Sequence, residues 1–263
     1  MDITKYYLQP GELPLQNIKP DGGFFGIFRT VACVGDSLSS GEFESTDEAG
    51  NKGYHDYFEY SWGQYMARAA GVKVYNFSRG GMTAIEYMKS FAENNGMWDP
   101  EKQAQAYIIA LGVNDICNMK MEIGTTDDIC LEDYTKNADT FAGWYGRVIQ
   151  RYREISPEGY FFLMTIPRDH SNNVNAFRQA EIVREIAKLF PHTYVIDLHR
   201  YAPVYDREFG RYFFLGGHMN PMGYMLTAQM VMSYIDYLIR RDPEDFAQVG
   251  FINRGVHNRT ARW

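Results

Sequence analysis

The sequence predicts a single three-layer α/β/α domain built around a mostly parallel, five-stranded sheet. Short apolar runs alternate with longer amphipathic segments along the 263 residues, as expected of right-handed strand–helix–strand units. The continuous apolar run at 106–111, which reads AYIIAL, is typical of a central parallel strand covered on both faces. Because no repeat, low-complexity tract or linker divides the chain, we expect residues 31–263 to form one domain.

Local signals justify each element in chain order. Residues 1–30 are rich in turn-forming Gly and Pro, and we expect an N-terminal arm, extended or forming a small β-piece, that packs on the domain. The apolar runs predict strands at 31–34, 72–77, 106–111, 159–165 and 194–197. Apolar periodicity and capping residues predict helices at 62–70, 83–92, 131–154, 175–189 and 221–240. Asn220 caps the last of these helices, and Pro221 takes its first position.

Two loop segments that follow predicted strands are expected to line a substrate pocket. The segment at 39–60 is polar and acidic, and it is long for a connection between a strand and a helix, which favours a functional role. The shorter segment at 167–173 follows the fourth predicted strand and carries Arg168, Asp169 and His170.

Composition excludes several classes of function. The formal net charge is −7 and no long basic run occurs, which disfavours nucleic-acid binding. No apolar run is long enough for a membrane span, and the first residues do not resemble a secretory leader, so a cytoplasmic protein is expected. The three cysteines form neither a disulfide framework nor the paired spacing of a zinc site.

Four short polar signatures carry the chemistry of the predicted domain. Three follow strands and therefore meet at one edge of a parallel sheet, where such sheets keep their reactive groups. The fourth precedes the last helix. Together they offer a nucleophile, an imidazole base and hydrogen-bond donors for an oxyanion. In chain order they are Gly35-Asp36-Ser37-Leu38, Gly80-Gly81, Gly112-Val113-Asn114-Asp115 and Gly217-His218-Met219-Asn220-Pro221-Met222-Gly223.

These signatures resemble, in type and order, the blocks of the SGNH (GDSL-type) hydrolase family, over about residues 31–240. The resemblance implies a flavodoxin-like fold and acyl transfer to Ser37, with His218 acting first as base and then as acid. It also implies an oxyanion site formed by the backbone N–H groups of Ser37 and Gly81 and the side-chain amide of Asn114. Water then releases the acid, and no metal or organic cofactor is needed.

One position departs from the family pattern. The family has an aspartate three residues before the histidine, and here that position is Leu215. This aspartate orients the imidazole, and loss of its charge in a triad lowers the rate by orders of magnitude. Three arrangements remain open: a main-chain carbonyl near Leu215 orients His218, a carboxylate from elsewhere does so, or the enzyme is weak or inactive. The carboxylates considered are Asp206, Glu208 and those of the Glu42–Glu44 segment.

Other residues are expected to support the site or to contact substrate. Asp36 and Asp115 suit backbone hydrogen bonding in their turns, and Asn220 fixes the His218 loop as well as capping a helix. Arg168 and Met219 are the candidates for substrate contact.

The predicted function is hydrolysis of a carboxylic ester by a serine esterase. The polar walls favour a small polar acyl ester, such as an acetylated sugar, over a long-chain lipid. Two other functions are kept: a carbohydrate- or ligand-binding protein without turnover, motivated by Leu215, and an acyltransferase that uses the same serine and histidine. The expected partner is a small-molecule ester, and the oligomeric state is left open.

Overall fold

A computed structural model of the chain describes residues 2–169, 171 and 173–259. Of the segments discussed above, His170 lies outside the described residues. The strands are β1 (Thr30–Gly35), β2 (Glu42–Thr46), β3 (Lys52–Asp56), β4 (Lys73–Ser78), β5 (Ala106–Ala110), β6 (Tyr160–Met164), β7 (Thr193–Ile196), β8 (Phe214–Leu215) and β9 (His218–Met219).

Five of these strands form the central sheet, in the order β4-β1-β5-β6-β7, and every neighbouring pair is parallel. This confirms the predicted fold class. The order is that of flavodoxin-like domains, in which the connections leave β1 and β5 toward opposite faces. The carboxyl ends of β1 and β5 therefore flank the crevice in which such sheets bind ligands.

Helices cover both faces of the sheet. One face packs against α2 and α9 and the other against α5 and α6, which gives two apolar cores. The helices are α1 (Ser37–Ser40), α2 (Trp62–Ala70), α3 (Ala84–Glu86), α4 (Ala92–Asn94), α5 (Phe141–Ile155), α6 (Val174–Lys188), α7 (Leu198–Tyr201), α8 (Arg207–Phe213) and α9 (Pro221–Arg241). A π-helical turn, Tyr87–Phe91, joins α3 to α4, and a second one, Val113–Asn118, follows β5.

Two predicted elements were wrong in detail. The helix predicted at 131–154 begins only at Phe141, because the Thr140 hydroxyl caps α5 by accepting from the Gly143 N–H at 3.2 Å. Of the two forms expected for the N-terminal arm, the small β-piece is absent, since residues 2–29 contain no strand. The arm forms short 3₁₀ turns instead, and Phe25 and Phe28 of this arm are fully buried in the core that contains α9.

The acidic segment that follows Ser37 is a β-hairpin made of β2 and β3. Side chains alternate along β2, so Phe43 faces one side and the two flanking glutamates face the other. Phe43 packs against the rings of Tyr57, Tyr60 and Tyr224, which anchors the hairpin to α9. Glu42 and Glu44 consequently face the short strand β9, which carries His218.

Candidate active site

The four polar signatures meet in one crevice at the carboxyl edge of the sheet. The crevice has a volume of about 530 Å³. Ser37, Gly81, Asn114 and His218 all line it, as expected from the sequence. The remaining lining residues are Asp36, Leu38, Glu42, Tyr54, Gly80, Val113, Asn118 and Gly217.

Ser37 begins α1, directly after β1 and a capping aspartate. The Asp36 carboxylate accepts a hydrogen bond from the Leu38 N–H at 3.1 Å, which fixes the turn. Asp36 is almost completely buried, and burial, reinforced by the negative charges of Asp115 and Glu42, raises its pKa to about 7. Asp36 therefore supports the turn and gains or loses its proton near neutral pH.

Backbone N–H groups at this edge are free to bind a ligand. Among the described residues, the structure contains no protein acceptor for the N–H of Ser37 or of Gly81. Gly81 has φ +71°, a backbone conformation that favours glycine, and no atom lies within 4 Å of the place where a Cβ would stand. The preceding Gly80 is different, because a Cβ there would lie 1.8 Å from Glu42 Oε2. Gly81 is thus the more accessible of the two glycines.

Asn114 has a fixed amide orientation. Its Nδ2 donates to the Met82 carbonyl at 3.0 Å, and its Oδ1 accepts from Asn118 Nδ2 at 2.7 Å. An amide nitrogen carries two hydrogens, so one of them remains available to the crevice. The contact with Met82 also holds the end of β5 against the turn that contains Gly81.

Asp115 lies beneath this turn and is fully buried. Its Oδ1 accepts from the Ala84 N–H at 2.8 Å, which ties the end of β5 to the start of α3. Burial raises the pKa of Asp115 to about 6.

Asn220 supports the other side of the site, since its Oδ1 accepts from the Gly223 N–H at 3.0 Å and caps α9. Its Nδ2 donates to the Tyr212 carbonyl at 2.8 Å, which holds the loop that carries His218.

His218 contacts two carboxylates of the hairpin. Its Nε2 lies 2.9 Å from Glu42 Oε1, and its Nδ1 lies 3.9 Å from Glu44 Oε2. The Tyr54 ring and the imidazole pack edge to face, with 5.7 Å between the ring centres. Burial lowers the pKa of His218, and the negative charges of Glu44 and Asp56 oppose this effect. The neutral imidazole, which is the form that a base needs, is therefore favoured.

No hydrogen bond joins Ser37 to His218 among the described residues. The two side chains share the crevice, but Glu42 holds the ring nitrogen that would accept the serine proton. Glu42 is itself held on β2, where its carbonyl accepts from the Tyr224 hydroxyl at 2.5 Å. Burial and the neighbouring Asp56 raise the pKa of Glu42. In this arrangement the hydrogen-bond partner of His218 Nε2 is Glu42 and not Ser37.

Two of the three arrangements left open at Leu215, a main-chain carbonyl and a carboxylate from elsewhere, can be compared directly. Leu215 is exposed on β8, and His218 Nδ1 is buried without a hydrogen-bond partner among the described residues, so no main-chain carbonyl accepts from it. Asp206 instead caps α8 through the Phe209 N–H at 2.9 Å. Of the carboxylates considered, those in contact with the imidazole are Glu42 and Glu44.

The comparison with known families is decisive. The sequence model of the GDSL-like lipase/acylhydrolase family matches residues 33–226, which contain all four signatures. The chain belongs to this family. No curated protein matches the chain.

Solved structures similar to this GDSL-like hydrolase include carbohydrate esterases. A family two carbohydrate esterase from Clostridium thermocellum in complex with cellohexaose has a TM-score of 0.57 and 16% identity, over 89% of this chain and 66% of that one. A family two enzyme from Corynascus thermopiles (Myceliophthora fergusii) with a carbohydrate binding domain has a TM-score of 0.54 and 14% identity, over 80% and 66%. An acetyl xylan esterase has a TM-score of 0.50 and 18% identity, over 78% and 99%. At these identities the likeness concerns the fold alone.

The two expected substrate contacts lie outside the crevice of this GDSL-like hydrolase. Arg168 lines a separate depression with Phe177 and His199. Met219 is buried, and its sulfur accepts a hydrogen bond from the Thr227 hydroxyl at 3.3 Å. Tyr54, by contrast, was missed, although it lines the crevice and is 55% exposed. The alternation of Glu42, Phe43 and Glu44 before a Gly-containing turn was the available sign of a hairpin.

An apolar cavity adjoins the crevice and shares Asp36, Leu38 and Val113 with it. Its volume is about 60 Å³, against about 530 Å³ for the crevice. Met219 contributes to its wall. Among the described residues, no helix has the length and hydropathy of a membrane span, and no group of three acidic, His or Cys side chains could hold a metal ion.

Proposed function

We propose that the chain is a serine esterase that hydrolyses a short acyl ester, with an acetylated carbohydrate as the substrate class. The observation that carries this proposal is the common crevice of Ser37, His218, Asn114 and the unpaired N–H groups of Ser37 and Gly81. A hydroxyl, an imidazole and fixed donors are the parts that acyl transfer requires.

The first half of the reaction forms an acyl-enzyme. As the imidazole of His218 turns from Glu42, its one ring proton passes from Nε2 to Nδ1 by way of solvent. The Nε2 lone pair then accepts the Ser37 proton as Oγ attacks the ester carbonyl carbon. The carbonyl oxygen becomes an oxyanion, which the N–H groups of Ser37 and Gly81 and the Asn114 amide stabilise. When the tetrahedral intermediate collapses, the C–O bond to the alcohol breaks, and His218 gives its proton to the departing alkoxide.

The second half of the reaction regenerates the serine. Water attacks the acyl carbon while His218 Nε2 takes one of its protons, and the same donors hold the second oxyanion. The bond between the acyl carbon and Ser37 Oγ then breaks, and His218 returns the proton to Oγ. The carboxylic acid is released, and every proton passes through one imidazole.

The substrate class rests on the walls of the crevice. No Lys or Arg among the described residues lines it, so the crevice offers no lysine or arginine charge to an anionic substrate. The exposed ring of Tyr54 offers a flat face for a sugar at the entrance. The small adjoining cavity suits a short acyl group better than a fatty chain. The carbohydrate esterases among the structural neighbours support the same choice.

The proposal is tested by measuring initial rates of hydrolysis on esters that differ in acyl chain length and in the alcohol. We expect hydrolysis of p-nitrophenyl acetate and of acetylated xylo-oligosaccharides, little hydrolysis of p-nitrophenyl palmitate, and loss of activity in Ser37→Ala. Ser90→Ala, on the π-helical turn away from the crevice, is the matched control and retains activity. A strong preference for palmitate would overturn the substrate class, and full activity in Ser37→Ala would overturn the mechanism.

A binding protein without turnover is the second candidate. The contact between Glu42 and His218 Nε2 favours it, because an imidazole that stays on Glu42 cannot accept the Ser37 proton. Such a protein would bind acetylated oligosaccharides in calorimetry while releasing no acetate. An acyltransferase is distinguished in the same assay by adding an alcohol or sugar acceptor and searching for the transfer product.

A further inference from the structure

We propose that Glu44, on the hairpin, is the positioning residue of His218 and acts in place of the acid that is missing at Leu215. The inference rests on the proposed esterase function. Leu215 pairs with His218 across β8 and β9, but its side chain is exposed and apolar, so it cannot accept a hydrogen bond.

The Glu44 carboxylate is seated on the loop that precedes the histidine. Its Oε2 accepts from the Gly217 N–H at 3.0 Å and lies 3.9 Å from His218 Nδ1. Side chains in this loop would prevent the approach. A Cβ on Gly216 would lie 2.6 Å from Oε1, and one on Gly217 would lie 3.0 Å from Oε2. The two glycines therefore leave room for a carboxylate that comes from another element.

Lys52 holds this carboxylate in place from the other strand of the hairpin. Its Nζ lies 2.7 Å from Glu44 Oε1, which leaves Oε2 directed at Gly217 and His218. The side chain of Glu44 is only 6% exposed. The hydrogen bonds from Lys52 and Gly217 lower the pKa of Glu44, so the carboxylate is charged at neutral pH.

His218 supplies the matching half of the contact. Its Nδ1 is buried and has no hydrogen-bond partner among the described residues, although buried polar atoms are normally paired. The distance of 3.9 Å to Glu44 is about 1 Å longer than an N–H···O hydrogen bond. Catalytic hydrogen bonds are often long before substrate binds. When the imidazole leaves Glu42 for Ser37, Nδ1 donates to Glu44, and the Nε2 lone pair faces the serine.

The test compares Glu44→Gln with a matched hairpin variant, Glu48→Gln, whose carboxylate is exposed in the turn between β2 and β3. We expect kcat/KM of Glu44→Gln to fall about 100-fold or more, because loss of the orienting charge lowers the rate by orders of magnitude. Glu48→Gln retains the wild-type rate. Leu215→Asp in the Glu44→Gln background restores at least a tenth of wild-type kcat/KM, since it returns a carboxylate to the same loop.

The pH profile separates positioning from a structural role. The Glu44 charge raises the pKa of His218 and the Lys52 charge lowers it. The acidic limb of the kcat/KM profile therefore moves to lower pH in Glu44→Gln and to higher pH in Lys52→Met. Because Lys52→Met keeps the Glu44 carboxylate, it still tests the proposal if Glu44→Gln does not fold. The hairpin groups that face the imidazole are Glu42, Glu44, Lys52, Tyr54 and Asp56.

The two proposals fail in different ways. If Ser37→Ala and His218→Ala abolish hydrolysis while folded Glu44→Gln keeps the wild-type rate and an unmoved acidic limb, only the role of Glu44 is refuted. The role of Glu44 is also refuted if the acidic limbs of the kcat/KM profiles move in the same direction in Glu44→Gln and Lys52→Met. If Ser37→Ala and His218→Ala remain active, the esterase mechanism itself is wrong.

Discussion

Replacing Asn114 by alanine removes the side-chain donor of the proposed oxyanion site. The loss of one such donor lowers kcat by roughly 10²- to 10³-fold, or about 2.7–4 kcal/mol. Both ends of this amide are already held, by the Met82 carbonyl at 3.0 Å and by Asn118 at 2.7 Å. Because the donor does not need to reorganise during the reaction, we expect a loss near the upper end of that range.

A neighbouring variant calibrates this expectation. Asn118→Ala removes the 2.7 Å hydrogen bond but leaves the Asn114 donor in place. A neutral hydrogen bond contributes about 1 kcal/mol, so the freed amide should lower kcat only about fivefold.

The assay measures kcat and KM on p-nitrophenyl acetate, with thermal unfolding as the check on folding. An interaction made in the transition state lowers kcat and leaves KM nearly unchanged. The oxyanion role of Asn114 is refuted if folded Asn114→Ala keeps more than a third of wild-type kcat, or if kcat falls further in Asn118→Ala than in Asn114→Ala.

Three further predictions concern the hairpin and the buried turn. Glu42→Gln replaces the charged hydrogen bond to His218 Nε2, about 1.5–3 kcal/mol, with a neutral one of about 1 kcal/mol, so kcat/KM at neutral pH should rise by roughly 2- to 30-fold; a loss as complete as that of His218→Ala would contradict this. Tyr54→Ala should raise KM for acetylated oligosaccharides but not for p-nitrophenyl acetate, and equal effects on both would count against sugar stacking. Asp115, whose pKa rises to about 6 on folding, stabilises the protein fully below its unfolded pKa of about 3.9 and loses this contribution as the pH rises through 6. In urea unfolding, the free energy of unfolding of the wild type should therefore fall by about 1.4 kcal/mol more between pH 5 and pH 8 than that of Asp115→Asn. Equal changes with pH in the two proteins would exclude the effect.

The central sheet could be predicted because its signals are local. Apolar runs such as the one in β5 are explained by burial on both faces, and the caps of α2 and α9 are short-range hydrogen bonds from Ser61 and Asn220. The start of α5 was missed for an equally local reason. Apolar residues at 134 and 138 continue the helical period, but the Thr140 cap and the preceding 3₁₀ turn begin the helix later.

The candidate site could be predicted only in part. The residues at strand ends meet because the sheet topology brings them together, and the signatures identify them. The partners of His218 depend on a long-range contact, since Glu42 and Glu44 reach it only when the hairpin folds back over the β8–β9 loop. The linear sequence gives no signal that Glu42, rather than Ser37, contacts Nε2 of His218. It also gives no signal that places Tyr54 in the crevice.

Covalent labelling is the most direct test of whether Ser37 is an activated nucleophile. The protein is treated with a fluorophosphonate, and the modified residue is located by mass spectrometry of its peptides. We expect one stoichiometric adduct on Ser37, with no labelling in Ser37→Ala and much slower labelling in His218→Ala. A wild-type protein that stays unmodified, or an adduct on another residue, would contradict it.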